Sequence, residues 1–305
     1  MAVLNVERYG DPAGPPLLAI HGITGHARRW ERLATEGWPA RRTFAVDLRG
    51  HGFSPWEPPW SLEQLVDDVL DTLDDLGAGA VDLVGHSYGG AVGLRLLARE
   101  PHRLRRLVLL DPGLARPSTL MAAEADAMLA ADGWPDLDAA IVARSAGWLM
   151  SSPDSTALAG SLRVGATAQG TGGVHPAIRT EIDQHLYEGG DGRYRFRFSR
   201  PAVIAGFGEL CRPVPEIAEG RPTLVVVAGQ AGVVIPDVLT QLRRELGDQL
   251  LATTLDCGHM VAWERFEDTV CLVDTFLNRS DPNHRDPDRP DPNRPDPDRP
   301  DPNRA

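Results

Sequence analysis

Short apolar runs alternate with helical patterns over the first 113 residues of the chain. The runs are Leu17–Ile20, Thr43–Val46, Asp82–Val84 and Leu107–Leu110. After the second run, Ser61 is a residue type that caps helices, and apolar residues with helical spacing follow it through Leu73. Strands separated by helices predict an α/β fold, in which a mostly parallel central sheet has helices on both faces.

The alternation of predicted strands and helices is absent between about residues 114 and 213 and then resumes. The later segments predict strands at 223–227 and 250–255 and helices at 238–246 and 267–277. We therefore interpret residues 114–213 as an insertion that covers a site, and residues 1–113 and 214–280 as one core.

The insertion is rich in adaptable apolar side chains, which favours a lid over a hydrophobic pocket. The alternative is that these residues only pack helices of the insertion against one another. They are Met121, Met128, Leu129, Trp134, Ile141, Trp148, Leu149 and Met150. Near its end, Arg193–Phe198 alternates basic and aromatic residues, which predicts a short amphipathic strand rather than a nucleic-acid site.

The last 25 residues are five pentads rich in Asp, Pro, Asn and Arg, and they predict a disordered tail over 281–305.

The net charge of −12 argues against nucleic-acid partners and anionic membrane surfaces. We expect no signal peptide, because residues 1–8 contain no basic region followed by an apolar core. We also expect no membrane span, because no apolar run is long enough to cross a bilayer. The three cysteines, Cys211, Cys257 and Cys271, cannot all pair and lack zinc-like spacing. They are interpreted as reduced, mostly buried thiols of a cytoplasmic protein.

The apolar run that begins near Val81 ends in the motif Gly85-His86-Ser87-Tyr88-Gly89, and a helical pattern follows at once. A Gly-x-Ser-x-Gly motif between a strand and a helix is typical of a nucleophile elbow. The sharp turn strains the serine backbone, and the glycines remove side chains that would collide there. Ser87 is therefore the candidate nucleophile.

A serine hydroxyl needs an adjacent base, and the chain offers nine histidines. His259 is the best candidate, because it follows the last predicted strand and so lies at the carboxyl edge of the sheet. His86 precedes the nucleophile, and we expect the turn to point it elsewhere. His51 and His21 are interpreted as residues that shape loops by hydrogen bonding.

Acyl transfer also needs hydrogen-bond donors aimed at the developing oxyanion. Two backbone amides suit this role, those of Tyr88, directly after the nucleophile, and of Ile23, after the His21-Gly22 turn. The alternative for the Ile23 segment is an ordinary glycine turn.

Taken together, these motifs resemble the α/β-hydrolase fold superfamily over nearly all of the chain before the tail. The motifs that carry the resemblance are His21-Gly22, Asp47–Ser54, Gly85–Gly90 and Asp256–His259. The resemblance implies the α/β-hydrolase fold with a helical lid insertion. It leaves the substrate open, because this fold hosts many hydrolytic activities. Serine at the elbow argues against dehalogenases and ordinary epoxide hydrolases, whose members usually carry aspartate there.

One position departs from the pattern of the superfamily. In the superfamily, the carboxylate that orients the catalytic histidine usually follows the strand that corresponds to residues 223–228 here. In this chain the loop Gly229–Pro236 has Gly232 at the expected position. We expect Asp111, which ends the strand next to the elbow strand, to supply the carboxylate. The alternative is that Asp111 only caps a turn before Pro112.

Further alternatives remain for the carboxylate that orients His259. One of two other aspartates could supply it, or the site could lack such a carboxylate. Asp237 lies just past Pro236, and Asp256 precedes His259 by three residues. The sequence thus predicts a serine hydrolase without metal or cofactor, with Ser87, His259 and Asp111 as catalytic residues. Its substrate would be a small-molecule ester, thioester or lactone with an apolar acyl or alcohol part. The second hypothesis is a non-hydrolytic binding protein with a degenerate triad, which the glycine at position 232 motivates.

Overall fold

The apolar runs of the sequence form a seven-stranded sheet in a computed structural model, which describes residues 2–140 and 185–279. Within the sheet the order is β1-β3-β2-β4-β5-β8-β9, and β6 and β7 form a separate hairpin. The strands are β1 (Val6–Tyr9), β2 (Pro16–Ile20), β3 (Arg42–Val46), β4 (Val81–His86), β5 (Leu104–Leu110), β6 (Leu186–Glu188), β7 (Tyr194–Phe196), β8 (Thr223–Ala228) and β9 (Leu250–Leu255).

Six strands of the sheet run parallel, and only the edge strand β1 pairs antiparallel, with β3. The register places Ile20 of β2 beside Gly85 of β4, and His86 of β4 beside Leu110 of β5. The carboxyl ends of these three strands therefore meet at one edge, where α/β sheets bind ligands.

Helices cover both faces of the sheet, so two apolar clusters form, one on each side. Ser61 caps α1, because its hydroxyl accepts a hydrogen bond from the Gln64 amide at 3.3 Å. The helices are α1 (Leu62–Asp75), α2 (Tyr88–Arg99), α3 (Ser118–Ala130), α4 (Arg200–Leu210), α5 (Pro236–Leu246), α6 (Val261–Glu264) and α7 (Phe266–Leu277). The described helices include none that is both long and apolar enough to cross a membrane.

Described parts of the interpreted insertion are α3, the β6–β7 hairpin and α4. Met121 and Met128 of α3 are buried, whereas Leu129 is 64% exposed, so Leu129 does not contribute to an apolar pocket. The amphipathic strand expected near Arg193–Phe198 is β7, which pairs with β6. Ile141, Trp148, Leu149 and Met150, and the tail 281–305, lie outside the described residues.

All three cysteines are unpaired. Cys257 is buried, and burial raises the pKa of its thiol to about 11. Cys211 is half-buried and Cys271 is exposed, so the expectation of mostly buried thiols is wrong for Cys271.

Candidate active site

Ser87 lies in a strained turn between β4 and α2. Its backbone has φ 52° and ψ −112°, a conformation that L-residues rarely adopt. The turn also brings backbones into close contact. A Cβ atom on Gly89 would lie 2.2 Å from the Ile20 carbonyl oxygen, and one on Gly85 would lie 2.5 Å from the Gly89 oxygen. The two glycines of the motif are therefore required by the close approach of neighbouring backbone.

His259 and Asp111 form a buried pair at the same edge of the sheet. The Nδ1 atom of His259 lies 2.6 Å from Oδ2 of Asp111, whose side chain is fully buried. The other carboxylate oxygen, Oδ1, accepts a hydrogen bond from the Ala228 amide at 3.1 Å. Asp111 also has a positive φ of 43°, which aspartate tolerates better than most residues. The carboxylate is thus held between β8 and the imidazole.

The other positions considered for the acid lie elsewhere. Gly232 is exposed, has φ 63°, and a Cβ atom there would meet nothing within 4 Å. The Oδ1 atom of Asp256 accepts a hydrogen bond from Gln230 Nε2 at 2.8 Å. Asp237 is exposed in the first turn of α5. Among the described carboxylates, Asp111 is the one that hydrogen-bonds to His259.

The two expected oxyanion donors are available for a ligand. Within residues 2–140 and 185–279, no hydrogen bond starts from the amide of Ile23 or from that of Tyr88. Ile23 belongs to the loop after β2, and Tyr88 is the first residue of α2. A helix N-terminus favours negative charge, so the Tyr88 amide suits a developing oxyanion.

Three buried histidines fix the backbone around the site. The Nε2 atom of His21 accepts a hydrogen bond from the Leu48 amide at 3.0 Å, and Nε2 of His51 accepts one from the Thr24 amide at 3.3 Å. His86 donates from Nε2 to the His259 carbonyl oxygen at 2.9 Å. These contacts fit the loop-shaping roles expected for His21 and His51.

Burial keeps these three imidazoles neutral, because desolvation disfavours the charged form. It lowers the pKa of His51 from 6.5 to about 4. The pKa values of His21 and His86 are likewise well below 6.5, mainly because of burial. None of the three is therefore suited to exchange protons near neutral pH.

Ser87 and His259 line one cavity. Its walls are mostly apolar and include Ile23, Leu120, Met121, Phe207, Leu210 and Val233. The structure records no hydrogen bond between the Ser87 hydroxyl and the His259 ring. Catalytic hydrogen bonds are often long without substrate and tighten in the complex.

Two charged side chains in this cavity were missed by the sequence analysis. Arg116 and Glu124 line it, with exposed fractions of 7% and 5%. Burial lowers the pKa of the Arg116 guanidinium, while the charges of Asp111 and Glu124 oppose that shift. The signal that could have found Arg116 is its place just after Asp111, at the carboxyl end of a strand.

Comparison with known proteins places this geometry in a family context. The sequence model of the Alpha/beta hydrolase family matches residues 17–270. The chain is 37% identical to Lipase LipV of Mycobacterium tuberculosis over 262 residues, which cover 85% of this chain and 91% of that protein. It is 27% identical over 272 residues to the sn-1-specific diacylglycerol lipase ABHD11 of Mus musculus, covering 88% and 82% of the two chains.

Solved structures resemble the chain in fold. One is a hydrolase of E-2-(acetamidomethylene)succinate, with a TM-score of 0.72 and 22% identity over 92% of this chain and 98% of that one. Another is an esterase from a marine microorganism, with a TM-score of 0.71 and 17% identity over 91% of this chain and 100% of that one.

Proposed function

The chain belongs to the alpha/beta hydrolase family, and we propose that this hydrolase is a serine enzyme that cleaves a carboxylic ester or a related acyl compound. The observation that carries the proposal is the 2.6 Å hydrogen bond between His259 and Asp111 beside the cavity that Ser87 lines. This hydrogen bond holds a proton on Nδ1 of His259, which leaves Nε2 to act as the base. The names of the two lipase relatives support an ester as substrate.

In the first half of the proposed reaction, Ser87 becomes acylated. Because Asp111 accepts a hydrogen bond from the Nδ1–H group of His259, the lone pair on Nε2 is free to take the Ser87 hydroxyl proton. The serine oxygen forms a bond to the carbonyl carbon, and the carbonyl electron pair moves to its oxygen. The amides of Ile23 and Tyr88 stabilise that oxyanion. The carbonyl then re-forms, the leaving alkoxide departs, and it takes the proton from His259.

The second half of the reaction releases the acyl group with water. His259 Nε2 takes a proton from the water as its oxygen bonds to the acyl carbon, and the same two amides stabilise the second oxyanion. Collapse of this intermediate breaks the bond to Ser87, which recovers its proton from His259. The products are a carboxylic acid and the free enzyme.

The insertion is proposed to cover this site and to select an apolar acyl or alcohol part. Support comes from the cavity walls, because Leu120 and Met121 of α3 and Phe207 and Leu210 of α4 contribute to them. Mostly apolar walls favour a substrate with an apolar part. The unpaired cysteines support the predicted cytoplasmic location.

The hypothesis of a non-hydrolytic binding protein rested on the glycine at position 232. The contact of Asp111 with His259 weakens that reasoning, because a carboxylate reaches the imidazole from a different strand. Ester hydrolysis is therefore the better supported function.

Hydrolysis of 4-nitrophenyl butyrate by the wild type and by Ser87→Ala tests the proposal. We expect Ser87→Ala to lower kcat by about 10⁴-fold or more, since it removes the nucleophile. A fluorophosphonate probe should label the wild type and fail to label Ser87→Ala. The matched control is Ser118→Ala, which removes an exposed hydroxyl at the start of α3. Wild-type turnover in folded Ser87→Ala protein would refute the proposed role.

A further inference from the structure

Arg116 is a buried cation inside the cavity proposed to bind substrate. Most other residues that line the cavity are apolar, and Arg116 and Glu124 are its basic and acidic side chains besides the imidazole of His259. A buried guanidinium normally has partners for its N–H groups, because an unpaired buried charge is costly. The partners of Arg116 therefore indicate what the side chain does.

Within the described part of the chain, the side-chain hydrogen bonds of Arg116 involve only one of its three guanidinium nitrogens. Nη1 donates to the carbonyl oxygens of Gly232 and Val233, at 3.1 and 2.6 Å. Among the described residues, neither Nε nor Nη2 donates a hydrogen bond. Neither nitrogen is fully enclosed by protein, so both remain accessible. These two nitrogens carry the remaining three N–H groups of the fork, which suits a carboxylate.

The side chain is also held in a fixed place. The Arg116 amide donates to the Leu210 carbonyl oxygen at 2.9 Å, which attaches its backbone to the end of α4. The guanidinium is attached to the loop after β8 through Nη1. A donor fixed at both ends loses little conformational freedom when a ligand binds, which favours recognition.

We propose that Arg116 binds an anionic group of the substrate, so that the preferred substrates are esters that carry a carboxylate in their acyl or alcohol part. This inference rests on the proposed function, because it assigns the substrate class of the same site. Glu124 lines the same cavity, and its charge, like that of Asp111, partly opposes the lowering of the Arg116 pKa by burial. The apolar walls would hold the uncharged remainder of the substrate.

Matched esters that differ only in charge test this specificity. One pair is 4-nitrophenyl butyrate and mono-4-nitrophenyl succinate, which differ by a carboxylate on the acyl chain. A second pair, phenyl butyrate and 4-carboxyphenyl butyrate, carries the charge on the leaving group. We expect the wild type to have the higher kcat/KM for the charged ester in at least one pair.

The variant Arg116→Gln should lower the ratio of charged to neutral kcat/KM by about 10- to 100-fold in that pair, since charged hydrogen bonds are lost. The matched control is Arg95→Gln. Arg95 also donates to a backbone carbonyl oxygen, that of Pro213, but is not among the residues that line the cavity. We expect Arg95→Gln to leave the ratio unchanged. Equal losses for both esters in Arg116→Gln would mean that Arg116 only supports the loop, and would overturn the proposal.

A binding measurement separates this proposal from the proposed chemistry. In Ser87→Ala protein, which cannot turn over, the charged ester should bind about tenfold or more tightly than its neutral counterpart in at least one of two pairs. The pairs are monomethyl succinate with methyl butyrate and 4-carboxyphenyl butyrate with phenyl butyrate. Adding Arg116→Gln should remove the difference, and Arg116→Lys should retain part of it. Equal affinities within both pairs in Ser87→Ala protein overturn the anionic subsite, even if Arg116→Gln does not fold. Failure of the wild type to hydrolyse any ester, with binding as expected, would instead reject the serine-hydrolase proposal.

Discussion

Replacement of Asp111 by asparagine should remove most of the activity without removing the fold. Both carboxylate oxygens are in use, one accepting from the Ala228 amide at 3.1 Å and one from His259 Nδ1 at 2.6 Å. Asparagine has a single oxygen, and a backbone amide can only donate. The oxygen of residue 111 should therefore stay with Ala228, so that the NH₂ group faces His259.

The imidazole then has to accept at Nδ1, which places its proton on Nε2. That tautomer points N–H at Ser87 and cannot act as a base. When asparagine replaces the aspartate of a Ser-His-Asp triad, this wrong tautomer lowers kcat by about 10⁴-fold. At about 1.36 kcal/mol per tenfold change, that loss equals about 5 kcal/mol of transition-state stabilisation. We expect a loss of this order for Asp111→Asn.

The assay is initial-rate hydrolysis of 4-nitrophenyl butyrate, with urea denaturation to verify folding. Asp256→Asn and Asp237→Asn are matched controls that should stay within about twofold of the wild type, because neither carboxylate hydrogen-bonds to His259. A folded Asp111→Asn protein with a kcat within about tenfold of the wild type would refute this reasoning. So would an equal loss in Asp256→Asn.

Two further predictions concern stability. Ser87→Gly should raise the free energy of unfolding by about 1 kcal/mol, measured by urea denaturation, since glycine relieves the strain of φ 52° and ψ −112°. Ser87→Ala keeps its Cβ atom and should show no such gain, and equal stability of the two variants would contradict the strain argument. Burial lowers the folded-state pKa of His51 to about 4, so between pH 6.5 and 4 the unfolded chain binds a proton that the folded protein does not. The contribution of His51 should therefore lower the free energy of unfolding by about 2 kcal/mol from pH 7 to pH 5. His51→Gln should reduce the pH dependence by that amount, and an unchanged slope would exclude His51 as its source.

The sequence predicted the strands that form continuous apolar runs well, and it missed β1 and β6. A strand that is covered on both faces needs a continuous apolar run, which is visible without any knowledge of its neighbours. β1 has no such run, because Val6–Tyr9 is a half-exposed edge strand whose two middle residues, Glu7 and Arg8, are charged. The β6 strand of the hairpin is only three residues long, too short for its periodicity to be read. These elements depend on tertiary pairing more than on local pattern.

The site residues also differ in whether a local motif or a tertiary contact identifies them. Ser87 and His259 belong to local motifs whose residues stand together in the chain. The placement of Asp111 depends on which strands are neighbours, and β5 lies between β4 and β8. That order lets a side chain at the end of β5 contact both Ala228 and His259. Arg116 belongs to no motif, and its place in the cavity follows from contacts with distant segments.

The neighbouring positions of Ser87 and Asp111 have a consequence for how enzymes of this kind can diversify. Both residues follow strands of one β4–α2–β5 unit. The loop 229–236, which provides no acid, instead supports Arg116 through two carbonyl oxygens. If Arg116 selects the substrate as proposed, mutations in this loop would alter which compounds are accepted and leave the proposed catalytic residues Ser87, His259 and Asp111 unchanged. Exchanging that segment between homologues is thus a practical route to new selectivity.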